Sequence, residues 1–292
     1  MRDLLYVPPG RKPVTGAIGL LVPELSNPIF PALAQAMEAR ATEAGLATIL
    51  CNTRAAAFRE ADYVHMLLDR RVDGMIFIAC EMTHLAGDHG HYARLLEEGA
   101  RLVFVNGALE GLDVPCVSVD ERHAGYLATQ HLLALGHERI GFVAGPADYL
   151  PTRDKAAGRA EALRNAQLRD GLVAHGDFSF DGGRRAFREL LEASDPPTAV
   201  ICSSDLMAIG VIDIARDVGL RIPEDMSVVG FDGIEAARWS DPPLTTVEQP
   251  IEAIATTAVD MLQRIVADPT AFGPRVLFQP RLRLGRSTGP PA

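Results

Sequence analysis

Short runs of β-branched and aliphatic residues, each followed by a stretch with apolar positions at helical spacing, recur along the whole chain. Seven runs stand out: 17–23, 46–51, 74–80 and 101–106 in the first half, and 139–145, 198–204 and 226–232 in the second. Brief, continuously apolar runs suit strands buried on both faces, so the alternation predicts a parallel sheet covered by helices. The helical stretches carry stripes of period 3.6: Phe30, Leu33, Met37, Ala41 and Ala44; Met207, Val211, Ile214 and Val218; Ile251, Ile254, Ala258, Leu262 and Ile265. Asn27 before Pro28 reads as an N-cap, and Gly45, Gly136 and Gly219 fall where helices should stop. Toward the C-terminus the alternation breaks. Residues 242–250 are extended, a helix follows, and two further extended runs (RVLFQ and RLRLG) close the chain, which is the pattern of late crossings between two lobes.

Length and composition support two lobes. At 292 residues the chain exceeds the usual single-domain size, and 48% hydrophobic with 23% charged residues is the balance of a globular protein. No internal repeat stands out in the sequence. The net charge of -10 disfavours tight binding to a polyanion, and Arg11 with Lys12 is the one basic cluster near a terminus. No apolar run reaches 18 residues and the N-terminus carries charge and prolines in place of a secretory core, so a cytoplasmic protein without membrane partners is expected. Cys51, Cys80, Cys116 and Cys202 form no C-x-x-C pair and are expected as buried free thiols.

In an open α/β sheet, ligands sit beyond the carboxyl ends of the strands, where loops lead into helix N-termini. Asn27, Asn106, Ser204 and Asp232 all lie at or just past predicted strand ends and offer short polar side chains to ligand hydroxyls. Phe30 and Phe178 add flat apolar faces, the complement to a sugar ring or a base. Asp205 and Asp120 read as helix caps, and His137 as a packing or hydrogen-bonding residue. Glu81, His84, Asp88, His89 and His91 crowd into eleven residues, but the stretch lacks helical i, i+4 pairing and reads as a loop, so no metal site is assigned. The sequence has no G-x-S-x-G elbow, no phosphate-binding P-loop and no G-x-G-x-x-G at the first strand. No catalytic residue and no cofactor is therefore assigned.

Six blocks in order, IGLLVPELSNPIF (18–30), VSVDERHAGYLATQHLLALGHERIGFVAGP (117–146), CSSDLMAIG (202–210), VVGFDG (228–233), PPLTTVEQP (242–250) and RLRLGRST (281–288), strongly resemble the LacI/GalR family of transcription repressors. The resemblance implies a type I periplasmic-binding-protein-like α/β fold: two Rossmann-like lobes with parallel sheets, joined by three crossing strands near Ser118, Val247 and Leu277. It implies a hinge-side remnant at 1–16, a first lobe of 17–117 plus 249–275, and a second of 118–248 plus 276–292. Ligand contacts are implied at Phe30, Asn106, Lys155, Phe178, Ser204, Asp232 and Gln249, with Tyr149 in a neighbouring loop. Two departures bear on the ligand. Lys155 stands where the family usually has Arg, with Arg159 after Gly158 where an aromatic is usual, and Ser204 replaces the Asn before the family's Asp. The function implied is the effector-sensing core of a transcription regulator. It would bind a sugar or similar polar metabolite, act as a homodimer, and reach operator DNA only through a helix-turn-helix head not evident in this chain. A transport-type sugar-binding protein, a Rossmann-type enzyme and a naturally head-less partner protein are the alternatives.

Overall fold

The computed structural model describes residues 15–53, 59–268, 270 and 275–292. Residues 1–14, with Arg11, Lys12 and most of the expected hinge-side stretch, lie outside the described residues. In the first half the elements run β1 (Ala17–Val22), α1 (Ile29–Glu43), β2 (Ala47–Asn52), α2 (Glu60–Asp69), β3 (Gly74–Ile78), α3 (Gly90–Glu97), β4 (Leu102–Val105) and β5 (Cys116–Val119). The second half continues with α4 (Glu121–Ala134), β6 (Ile140–Ala144), α5 (Leu150–Asn165), β7 (Val173–His175), α6 (Phe180–Leu191), β8 (Ala199–Cys202), α7 (Asp205–Asp217), β9 (Ser227–Asp232), α8 (Ala236–Trp239) and β10 (Thr245–Glu248). Helix α9 (Ile251–Ala267), β11 (Arg275–Phe278) and β12 (Arg281–Arg283) complete the chain.

The strands form two six-stranded sheets, β2-β1-β3-β4-β5-β11 and β7-β6-β8-β9-β10-β12. Every pairing is parallel except β10 with β12. In each sheet the first strand lies between the second and third, which creates a switch point where successive connections leave in opposite directions. The apolar runs meet the burial they imply: every residue of β3, β4, β6, β8 and β9 is buried. Gly45, Gly136 and Gly219 end their helices at positive φ, the conformation glycine adopts without a Cβ penalty. Along the stripes Leu33, Met37, Met207, Val211, Ile254 and Leu262 are buried, whereas Val218 is 51% exposed because α7 has ended one residue before it.

The chain crosses for the last time after Phe278, beside the expected Leu277, but the lobe boundary expected before residue 276 moves. The expected boundary puts 276 onward in the second lobe, yet β11 pairs in parallel with β5, with Leu277 opposite Ser118, so residues up to Phe278 belong to the first sheet. Helix α9 explains this: it packs against α1, β3, β4 and β5, so the chain is still on the first lobe when it enters β11. The chain changes sheets after Val119, after Glu248 and after Phe278.

Two sets of internal contacts brace the second lobe. Helices α4 and α5 cross with their backbones nearly touching: a Cβ on Gly125 would fall on the Lys155 carbonyl, and one on Gly158 on the Arg122 carbonyl. The C-terminal tail is tied to the second sheet by His137, whose Nδ1 meets Thr198 Oγ1 at 2.9 Å and whose Nε2 lies 3.1 Å from Ser227 Oγ and 2.9 Å from the Gly289 carbonyl. This bears out the reading of His137 as a hydrogen-bonding residue. Burial lowers its pKa from the ordinary value near 6.5. A lowered folded-state pKa means that the stability His137 provides is complete above 6.5 and lost as pH falls from there toward the folded value. Buried carboxyls such as Asp205 carry the opposite sign over an overlapping range, so the histidine contribution must be isolated by difference. In urea unfolding, the stability gap between wild type and His137→Gln is expected to narrow from pH 7.5 to pH 5. A gap independent of pH would show that the imidazole titrates alike in both states.

All four cysteines are free and buried, as expected from their spacing. Among the described residues no helix is long and apolar enough to cross a membrane.

Candidate ligand-binding site

The carboxyl ends of both sheets face one cavity, with about 580 Å³ of space that includes its opening to solvent. All eight residues nominated from the sequence line it: Phe30, Asn106, Tyr149, Lys155, Phe178, Ser204, Asp232 and Gln249. Topology brings them together. Phe30 sits in the first turn of α1 after β1, Asn106 directly follows β4, Ser204 precedes α7, Asp232 ends β9, and Gln249 lies where the chain leaves β10 for the first lobe.

A chain of hydrogen bonds runs along the cavity wall from one sheet to the other. The Val119 N–H donates to Asn106 Oδ1 (3.2 Å), Asn106 Nδ2 to Gln249 Oε1 (2.9 Å), and Gln249 Nε2 to Asp232 Oδ1 (2.7 Å). Asn106, Gln249 and Asp232 are all buried. Asp232 thus has one oxygen held by the crossing residue. Burial, followed by the charge of Asp205, pushes its carboxyl well above the ordinary carboxylate value. A ligand hydroxyl donating to it would favour the ionised form.

Lys155 does not project a free charge. Its Nζ lies 2.5 Å from Glu121 Oε2 and 3.8 Å from the centre of the Phe231 ring. Glu121, in the first turn of α4, is the most informative cavity residue that sequence reasoning missed; its place directly after the β5 crossing strand was the available signal. Burial raises its carboxyl against the opposing pull of Lys155. The aromatic walls are half-buried rings. Tyr149 and Phe178 meet edge to face at 6.2 Å, and Phe178 occupies space that a side chain on Gly145 would fill. The backbone is strained here as well. Of the six non-glycine residues at positive φ among the described residues, four line the cavity: Ala79, Asn106, Phe178 and Asp232 (φ 124°). Strain of this kind persists only where surrounding structure over-determines it, and it clusters at functional sites.

Asp205 corrects an expectation. The cap of α7 is Ser204, whose Oγ accepts from the Met207 N–H at 3.2 Å. Asp205, fully buried, instead accepts from the Gly233 and Ile234 N–H groups (2.7 and 2.8 Å) and from the Thr246 hydroxyl (2.5 Å), fixing the turn that follows Asp232. Burial raises its pKa to about 6. Asp120 does cap its helix, accepting from the His123 N–H at 2.8 Å.

The loops after β3 and β6 join across the lobes at the cavity mouth. His84 Nε2 lies 2.6 Å from Asp148 Oδ2, the Leu85 N–H donates to the Asp148 carbonyl at 2.7 Å, and the His84 ring meets Tyr149 edge to face at 5.2 Å. The histidine-rich stretch therefore divides among separate tasks. Among the described residues one trio of metal-ligand type gathers: Glu60, Glu81 and His91. Glu60 is buried there and already accepts from the Tyr92 hydroxyl, the Glu81 N–H and the His91 ring, an arrangement complete as a hydrogen-bonded network.

Known proteins resemble the chain over nearly its whole length. Residues 129–288 match the periplasmic binding protein-like domain family. An uncharacterized HTH-type transcriptional regulator encoded in the aml 5' region of Streptomyces limosus is 42% identical over 283 residues, covering 95% of this chain and 80% of that protein. Among solved structures, the transcriptional regulator CelR in complex with cellobiose has a TM-score of 0.84 at 29% identity, over 97% of this chain and 86% of that one. A LacI family transcriptional regulator from Enterococcus faecium with bound ribose has a TM-score of 0.83 at 29% identity, over 94% of this chain and 99% of that one. With the paired sheets and the shared cavity, these likenesses establish that the chain belongs to the LacI/GalR family of transcription regulators, as their ligand-sensing core.

Proposed function

We propose that the cavity binds a small polar effector, a sugar or sugar derivative, and holds it without chemical change. The observation that carries this reading is the Asn106–Gln249–Asp232 chain, which presents directed polar groups from both lobes to one space walled by aromatic rings. Cellobiose and ribose in the related regulators support it. An effector contacting both lobes favours the arrangement in which they meet, shifting an open–closed equilibrium by its difference in affinity for the two states. In a cytoplasmic homodimer, that closure alters the spacing of helix-turn-helix heads on operator half-sites. A transport-type binding protein shares the fold, and the regulator names of the relatives favour sensing.

Calorimetry on wild type and Asp232→Ala tests the site. Removing the carboxylate is expected to weaken effector binding by about 1.5–3 kcal/mol, the usual worth of a hydrogen bond to a charged group. Unchanged affinity for a sugar that binds the wild type would take Asp232 out of the site.

A further inference from the structure

The charged groups around the cavity are one-sided. Its lining holds three carboxylates, Glu24, Glu121 and Asp232, and one amine, Lys155. The amine is neutralised at 2.5 Å by Glu121. Among the described residues of the lining, an anion entering the cleft therefore meets no unpaired cation and at least one buried carboxylate.

Helix N-termini are the other usual source of anion affinity, through their free N–H groups and dipole. Among the described residues four helices begin at this cavity, three of them with capping side chains or acids at the first turn and the fourth with a proline there. At α1, Pro28 has no N–H, while Asn27 supplies a side-chain acceptor to Ile29 (3.3 Å) and a carbonyl to Phe30 (3.2 Å). At α4, Asp120 caps the first turn and Glu121 adds a second acid. Helix α5 carries Pro151 in its first turn. At α7, Ser204 takes the Met207 N–H and Asp205 occupies the first turn. Prolines, caps and acids thus stand where a phosphate-binding helix would present bare donors.

Taking as its basis the reading of the cleft as a sugar site, we infer that it selects uncharged carbohydrate and rejects phosphorylated or carboxylated counterparts. Hydroxyls can donate to Asp232 and exchange hydrogen bonds with Asn106 and Gln249. A phosphate or carboxylate cannot donate to Asp232 as a hydroxyl does, and it adds like-charge repulsion in a poorly screened space.

The test is a thermal-shift and calorimetric comparison of glucose, ribose, maltose and cellobiose with glucose 6-phosphate, ribose 5-phosphate and glucuronate. At least one neutral sugar is expected to bind, and its charged counterpart to bind about a hundredfold more weakly or worse. A charged ester binding as tightly as its neutral parent would overturn the selectivity while leaving a sugar site in place. Failure of every compound, neutral and charged, to bind would overturn the sugar reading and the inference with it. A second arm uses Glu121→Gln, checked for folding by circular dichroism and cooperative unfolding. Unpairing Lys155 is expected to reduce the discrimination against the charged sugars about tenfold or more. Undiminished discrimination in the folded variant would overturn the role assigned to the Lys155–Glu121 pair.

Discussion

Gly158→Ala is expected to lower stability by about 3 kcal/mol or more, the upper part of the range for over-packing a close-packed interior. A Cβ at this position would fall on the Arg122 carbonyl and within 2.9 Å of the Tyr126 nitrogen. Both are backbone atoms of α4, so no rotamer change relieves the clash and the two helices must separate. For a chain of this size such a loss lowers the midpoint of thermal unfolding by roughly 5 °C. The site should weaken along with the fold, because α5 carries Lys155, α4 carries Glu121, and their 2.5 Å pairing depends on the helices' close approach. Gly99→Ala is the control: nothing lies within 4 Å of its Cβ position, but its φ is +82°, so it should cost only about 1 kcal/mol of backbone strain. Equal losses at the two glycines would mean that crowding between α4 and α5 contributes nothing special.

The crossing of α4 and α5 also marks where sequence reading stops. Strand runs, helix stripes and terminal glycines are local signals, and they locate nearly every element because each answers to its own period and its own end. Asn106, Ser204 and Asp232 were legible as cavity-lining residues for the same reason: a strand end is a local feature, and topology takes strand ends to the cleft. The short strand β7, in a polar stretch with only Ala174 buried, carries no such pattern. The shared strand order of the two sheets is equally silent, since similar topology can be written with unrelated apolar residues. Partnerships across long separations leave the weakest trace. Nothing near Glu121 announces Lys155, and nothing near His84 announces Asp148 in the other lobe. Asp205 shows the limit best. Its position before an apolar stripe is that of a helix cap, and only the fold reveals that its acceptors serve residues 28, 29 and 41 positions away.

Asp205→Ala is expected to be the most damaging of the polar substitutions, with a loss of about 3–5 kcal/mol. It strands two backbone N–H groups and a hydroxyl in the interior, and each buried donor left unpaired costs about 1–3 kcal/mol. The damage reaches the site directly. The Gly233 N–H follows Asp232, whose positive φ is held in part by this turn, so effector affinity should fall even though Asp205 does not line the cavity. The pH dependence identifies the group responsible. A carboxyl whose folded pKa is raised to about 6 contributes most below its unfolded value near 4 and loses part of that contribution as pH rises through 6. The stability gap between wild type and Asp205→Ala should accordingly be widest near pH 4.5 and narrower at pH 7.5, while remaining positive because the three donors still need their acceptor. Urea unfolding at the two pH values measures it. A gap that widened with pH would mean that the three donated hydrogen bonds outweigh desolvation, and that this aspartate is held as a stable buried anion.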